Sequence, residues 1–187
     1  MDDRTRRIIE AALALAERDG FDAVRLRDVA RLAEVALGTV YRRFPTKEDI
    51  LVGALDHLTA TLDGQLDVVC GPNPDPVARL STAFGWMTEA LLQRPALARA
   101  LLRAVASGVP ENTGRVARFH GRTTAAIVTW LGTWPGSAAE RGQVASLLQD
   151  IWFARLVGWS GGLSTAEGVT DAMNGAILWM LRPRERV

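Results

Sequence analysis

Apolar residues recur at helical spacing along nearly the whole chain, and nowhere does an apolar–polar alternation persist long enough to mark a strand. This pattern predicts an all-α fold of about nine helices. Ile8, Ile9, Ala12, Leu13 and Leu15 share a face of a first helix, which Gly20 is placed to stop. Leu26, Val29, Ala30 and Leu32 mark a short helix over residues 27–33, and a turn at Glu34-Val35 leads to another over 37–44. Pro45 ends that helix. Thr46 and Asp49 then stand at capping-box spacing, with Asp for the usual Glu or Gln, ahead of a long helix carrying Ile50, Leu51, Ala54, Leu58, Leu62 and Leu66. Asp75-Pro76 opens the next helix after a Gly-Pro-Asn-Pro break. Ser137 with Glu140 and Ser164 with Glu167 repeat the S-x-x-E box, so the last two helices are expected at about 137–160 and 165–181.

With 187 residues, 48% of them apolar, the chain has enough to bury for one compact domain or two small ones, which excludes a disordered protein. No apolar run is long enough to cross a bilayer, and the start MDDRTRRIIE is charged where a secretory signal needs an apolar region. Cys70 stands alone, which suits a reducing cytoplasm, and His57 and His120 are too few for a His/Cys metal cluster. Neither a membrane role, a metal nor a cofactor is expected.

Net charge is only +1, but its distribution is uneven. Between residues 25 and 47, Arg25, Arg27, Arg31, Arg42, Arg43 and Lys47 face only Asp28 and Glu34, whereas the preceding 24 residues carry an acidic excess. Two short helices joined by a tight turn inside a basic stretch make the pattern of a helix-turn-helix, whose second helix enters the DNA major groove. That places Leu37, Gly38 and Thr39 at base edges, Gly38 allowing close backbone approach. Tyr41 offers a hydroxyl to a phosphate, Arg42 and Arg43 offer forked donors, and Lys47 sits where its ammonium and a helix N-terminus both face the backbone. Arg25 and Arg27 add weaker candidates for phosphate contact.

The run from Gly38 to Lys47, GTVYRRFPTK, together with Gly20-Phe21, Arg27-Asp28-Val29-Ala30 and Val35, resembles the DNA-binding domain of the TetR family of regulators. The resemblance covers about residues 4–52. It implies a helix-turn-helix domain over residues 1–52, an effector-binding and dimerisation domain over 53–187, and a homodimer joined through the last two helices. It also implies a transcriptional regulator, chiefly a repressor, that reads a palindromic double-stranded operator and responds to a small effector. Within the family, the V-R-L-R-D-V-A and Y-R-R-F-P-T-K runs and the segment from Asp150 to Trp159 resemble regulators of steroid and cholesterol catabolism in actinobacteria. Three positions depart from the family pattern: Glu34 stands where Gly usually makes the turn, Ala36 replaces a Ser or Thr cap, and Arg25 replaces another.

All six tryptophans lie beyond residue 80, and the helix over 144–159 is apolar round its circumference, which predicts burial on every side. An apolar effector pocket is expected from Leu62, Phe84, Met87, Leu91, Phe119, Thr123, Ile127 and Trp152, with Arg155 meeting an acidic group on the ligand. Two alternatives stand beside this reading. One is a DNA-binding regulator controlled by a protein partner. The other is a helical hydrolase using Ser160, since Gly158-Trp159-Ser160-Gly161-Gly162 matches G-x-S-x-G; that motif requires a preceding strand and a later histidine, and neither is present in the sequence.

Overall fold

The computed structural model describes residues 1–182, apart from the side chains of residues 60–64, 66 and 67, so the expected contributions of Leu62 and Leu66 lie outside the described residues. The described residues form nine α-helices and no strand: α1 Asp3–Asp19, α2 Leu26–Leu32, α3 Leu37–Arg43, α4 Lys47–Cys70, α5 Pro76–Leu92, α6 Pro95–Ala106, α7 Thr113–Trp130, α8 Ala138–Ser160 and α9 Ala166–Met180. Single 3-10 turns occupy Phe21–Ala23 and Pro110–Asn112. None of these helices is long and apolar enough to cross a membrane.

Residues 1–61 and 93–120 form one compact unit, and residues 62–92 and 121–187 a second. A division at residue 52 is therefore one of expected function; packing divides the chain otherwise. In the first unit α1 packs on α2 and α6, and α2 on α3. Its buried residues include Ile8, Ala12, Val29 and Ile50 of the expected apolar stripes together with Val40, Phe44 and Leu101, while Leu32, expected on the α2 stripe, is exposed. In the second unit α9 packs on α5 and α8 around Leu80, Phe84, Met87, Ile127, Leu148, Met173 and Ile177.

The helix starts follow local chemistry, with two departures from expectation. Ser137 and Glu140 form the reciprocal capping box of α8. At α9 the cap is Thr165, which accepts from the Gly168 amide at 3.1 Å, while the Ser164 hydroxyl turns to the Thr165 carbonyl. Adjacent Ser and Thr both satisfy a capping pattern, and the chain uses the one closer to the helix. At α4 the Thr46 hydroxyl accepts from the Asp49 amide at 3.1 Å, but the Asp49 carboxylate is taken by Arg115 instead of closing the box.

The expectation that α8 is buried all round is not met within one chain. Val144, Ala145, Leu148, Gln149 and Leu156 are buried, Trp152 and Phe153 are half-buried, and Leu147, Arg155 and Val157 are exposed. The buried positions follow one helical face, and the opposite face leaves Leu147, Ala154 and Val157 open among the polar Gln143, Ser146, Asp150 and Arg155.

Candidate nucleic-acid interface

The turn between α2 and α3 is a Schellman motif: Val35 donates to the Ala30 carbonyl at 3.0 Å and Glu34 to that of Arg31 at 3.3 Å. The residue that must turn left-handed is Glu34, with φ +53°. A Cβ in that conformation is strained by about 1 kcal/mol or more, which glycine would avoid. Ala36, at the N-cap of α3, supplies no side-chain acceptor for the first free amides, and Arg25 supplies none for α2. The helix-turn-helix thus forms without the three residues that most often stabilise such a turn locally.

What holds α3 is packing on one face. Val40 and Phe44, four residues apart, are buried, with Leu37 half-buried beside them. The opposite face presents Gly38, Tyr41 and Arg42 at positions i, i+3 and i+4. Tyr41 keeps 54% of its surface exposed. A Cβ built on Gly38 meets nothing within 4 Å, so the fold itself does not require glycine there. At Gly53 the reverse holds: a Cβ would lie 3.1 Å from the Phe44 ring, and its absence lets that ring settle on α4.

Arg25 and Arg27, at the start of α2, are exposed, and Thr39 on α3 is half-buried. Two of the cations read as DNA contacts are engaged within the chain. Arg43 pairs with Asp2 at 2.6 Å and also donates to the Thr5 hydroxyl, tying the end of α3 to the start of α1. Asp2 is itself the N-cap of α1, accepting from the Thr5 amide at 2.8 Å. That amide, and then Arg43, hold the Asp2 carboxyl down to about 2. Lys47 lies over the Phe21 ring at 4.0 Å, donates to the Phe21 carbonyl at 3.3 Å and stands 3.5 Å from Asp22. Hydrogen bonding from Arg103 keeps the Asp22 carboxyl below the ordinary carboxylate range.

The residues the sequence did not single out are those that brace α3 from a distance. Arg115, at the start of α7, donates to Asp49 at 2.6 Å and to the Arg43 carbonyl at 3.1 Å, and lies over the Phe44 ring at 4.7 Å. Asp49 is buried, and that burial pushes its carboxyl up against the pull of Arg115 and Arg118. Sixty-six residues separate Arg115 from Asp49, so no local pattern could announce the pair.

The expected pocket residues are distributed between the two units. In the second, Phe84 is buried edge-on to Trp130 and Trp152, whose indole N–H donates to the Thr88 hydroxyl at 2.9 Å. Met87 and Ile127 belong to the same core, Thr123 is buried and Leu91 half-buried. Phe119 is buried in the first unit, its ring against His120. Arg155 is exposed, so within the chain its guanidinium does not line that core. A groove of about 270 Å³ lies instead where α6 passes into α7, lined by Val105, Val109, Asn112 and Val116 among others. Ser160 is the last residue of α8 and donates to the Val157 carbonyl at 2.8 Å, so a helix precedes it where the hydrolase motif needs a strand.

Comparison with known proteins agrees with this geometry. Residues 8–54 match the family described as bacterial regulatory proteins, tetR family, and residues 74–180 match a tetracyclin repressor-like C-terminal domain. The HTH-type transcriptional repressor KstR of Rhodococcus jostii is 34% identical over 179 residues, spanning 92% of this chain and 78% of that protein. The protein of the same name in Mycolicibacterium smegmatis is 28% identical over 184 residues, covering 98% and 90% of the two chains. Among solved structures, a TetR transcriptional regulator from Rhodococcus sp. RHA1 superposes with a TM-score of 0.83 at 23% identity over 96% of this chain and 95% of its own. Thermus thermophilus FadR, solved in complex with lauroyl-CoA, superposes with a TM-score of 0.82 at 18% identity, over 97% of each chain. These relatives are regulators and not enzymes, and matches to both halves leave one assignment: the chain belongs to the tetR family of bacterial regulatory proteins.

Proposed function

We propose that this protein is a dimeric, cytoplasmic transcriptional repressor that presents α3 of each subunit to a major groove of a palindromic operator and is released by a small apolar effector. The exposed face of α3 carries this reading: Gly38, Tyr41 and Arg42 stand clear of a helix whose other face is buried, with a glycine the fold does not need. A missing Cβ at that point serves an approaching duplex backbone. The N-terminal residues of α3, with Arg25, Arg27, Arg43 and Lys47 around them, supply base-edge and phosphate contacts in this reading. KstR relatives named as repressors support the sign of the regulation.

Dimerisation through α8 and α9 is supported by apolar side chains left open there, Leu147 and Val157 on α8 and Leu178 and Trp179 on α9, the last 70% exposed. The apolar core of the second unit, with Phe84, Met87, Ile127 and Trp152 packed together, is the surface that would open around an apolar effector of acyl or steroid type, held by residues 53–187 while residues 1–52 bind DNA. Release then requires that the effector bind one subunit arrangement more tightly than the other.

Selection of bound duplexes from a random pool tests the DNA reading, with a Tyr41→Ala/Arg42→Ala double variant as control. Recovery of one inverted repeat by the unaltered protein alone is the expected result; recovery of nothing above the control overturns it. Gly38→Ala adds a sharper test. It should raise thermal stability, because alanine is the better helix former, and at the same time weaken the selected complex. Lauroyl-CoA and a steroid carboxylate, added to that complex, test the effector; retention of DNA with both moves control to a protein partner.

A further inference from the structure

One carboxylate is shared by two cations at the start of α4. Asp22 Oδ1 stands 3.5 Å from Lys47 Nζ, and Asp22 Oδ2 accepts from Arg103 Nη1 at 3.1 Å. Both cations also lie over the ring of the neighbouring residue, Phe21, at 4.0 Å and 4.2 Å from its centroid. Lys47 and Arg103 come from different helices, α4 and α6, and α6 packs on the Phe21–Ala23 turn that carries the acid. The shorter contact belongs to Arg103, so Lys47 is held at a distance longer than a charge-assisted hydrogen bond. An ammonium in that state has an unfilled capacity for a better anion.

We propose that Asp22 competes with DNA phosphates for Lys47, and that Arg103, by engaging the other oxygen of the same carboxylate, sets how weakly Asp22 holds it. This rests on the reading of α3 and the α4 N-terminus as the DNA face. Arg103 is then an affinity-determining residue that touches no DNA. With Arg103 in place, Asp22 spends part of its charge elsewhere and a phosphate displaces it from Lys47 readily. Without Arg103, Asp22 turns wholly to Lys47 and the phosphate meets a paired ammonium. Phe21 keeps both cations close to the carboxylate in either case, because each gains from the ring face.

The test uses the full chain and a mixed-sequence duplex, on which phosphate contacts act without regard to base sequence. Asp22→Asn should tighten binding about two- to fivefold and Arg103→Gln should weaken it by a similar factor, the range an exposed ion pair supports. Both side chains are largely in solvent, so both variants keep the fold. Each effect must vanish in a Lys47→Gln background. Persistence there would show general charge attraction and overturn the proposal. If Lys47→Gln alone leaves affinity and salt slope unchanged, Lys47 does not meet phosphate, and the DNA reading of that residue fails with it. A measurement without DNA separates the two failures. Lys47 is the chain's only lysine, so acylation by a water-soluble acetyl ester, read by mass spectrometry on the proteolytic peptide that carries it, reports this side-chain amine apart from the α-amine. Acylation should quicken in Asp22→Asn and slow in Arg103→Gln; equal rates in all three proteins would remove the competition itself.

Discussion

Arg115 meets Asp49 at 2.6 Å and, through a second nitrogen, reaches the Arg43 carbonyl that ends α3. One guanidinium therefore neutralises a buried acid at the start of α4 and satisfies a free carbonyl of the helix before it. The joint between the two helices is braced by a residue of α7.

Arg115→Ala should accordingly destabilise the protein by about 2–3 kcal/mol, below the usual loss for a fully buried pair because part of Arg115 remains in water. Asp49, only 3% exposed, would lose its hydrogen-bonded cation and keep only the electrostatic pull of Arg118, or would take up a proton. Arg115→Lys keeps the charge but not the fork and should fall between. Urea denaturation midpoints give the order; equal midpoints for Ala and the unaltered protein would contradict it.

Glu34→Gly should stabilise the protein by about 0.5–1 kcal/mol, since relief of left-handed strain exceeds the entropy glycine loses on folding. A thermal melt reads this as a rise of a few degrees. No gain would mean that Glu34 makes up its strain elsewhere.

Ala36→Ser should give α3 the cap it lacks and add about 1 kcal/mol. The N-cap backbone is already extended, with φ −63° and ψ 138°, so the serine hydroxyl can reach the amides of the first turn without rearrangement. Protection of the Gly38 and Thr39 amides from exchange should rise with it.

The pH response of the α1–α3 tie has a definite sign. Asp2 titrates near 2 in the folded protein, below its unfolded value, so its contribution is present at neutral pH and is lost as pH falls from about 4 towards 2. Carbon-detected NMR of the Asp2 carboxyl should show this midpoint. Arg43→Ala should raise it only part of the way, because the Thr5 amide is the larger cause.

Local chemistry was legible in the sequence and distant chemistry was not. Gly20, Pro45, Asp75-Pro76 and Ser137/Glu140 fix helix ends through bonds made within four residues, and each element lies close to where those signals put it. The capping pattern failed only where two hydroxyl residues stood side by side at Ser164-Thr165, or where a third partner claimed the carboxylate, as Arg115 does at Asp49. The outward role of α3 was read from the helix-turn-helix pattern, whereas the face it leaves exposed, Gly38, Tyr41 and Arg42, is set by how Val40 and Phe44 pack. The engagement of Arg43 by Asp2 and of Lys47 by Asp22 was not legible, because such pairs join residues 25 to 41 positions apart in sequence. A basic residue in a DNA-binding pattern announces its charge, but not the anion it keeps when no DNA is bound.

The uncapped, seven-residue α3, entered through a strained turn, has a consequence for how the protein searches. So short a helix draws its order from neighbours rather than from itself, and its outward amides should be among the first to open. In the proposed reading, such a segment would loosen on a wrong sequence while phosphate contacts kept the protein moving along the duplex. On the right one it would finish ordering before it read. Part of the discrimination between sites would then be expressed as a heat-capacity change on binding larger than the contact area alone requires.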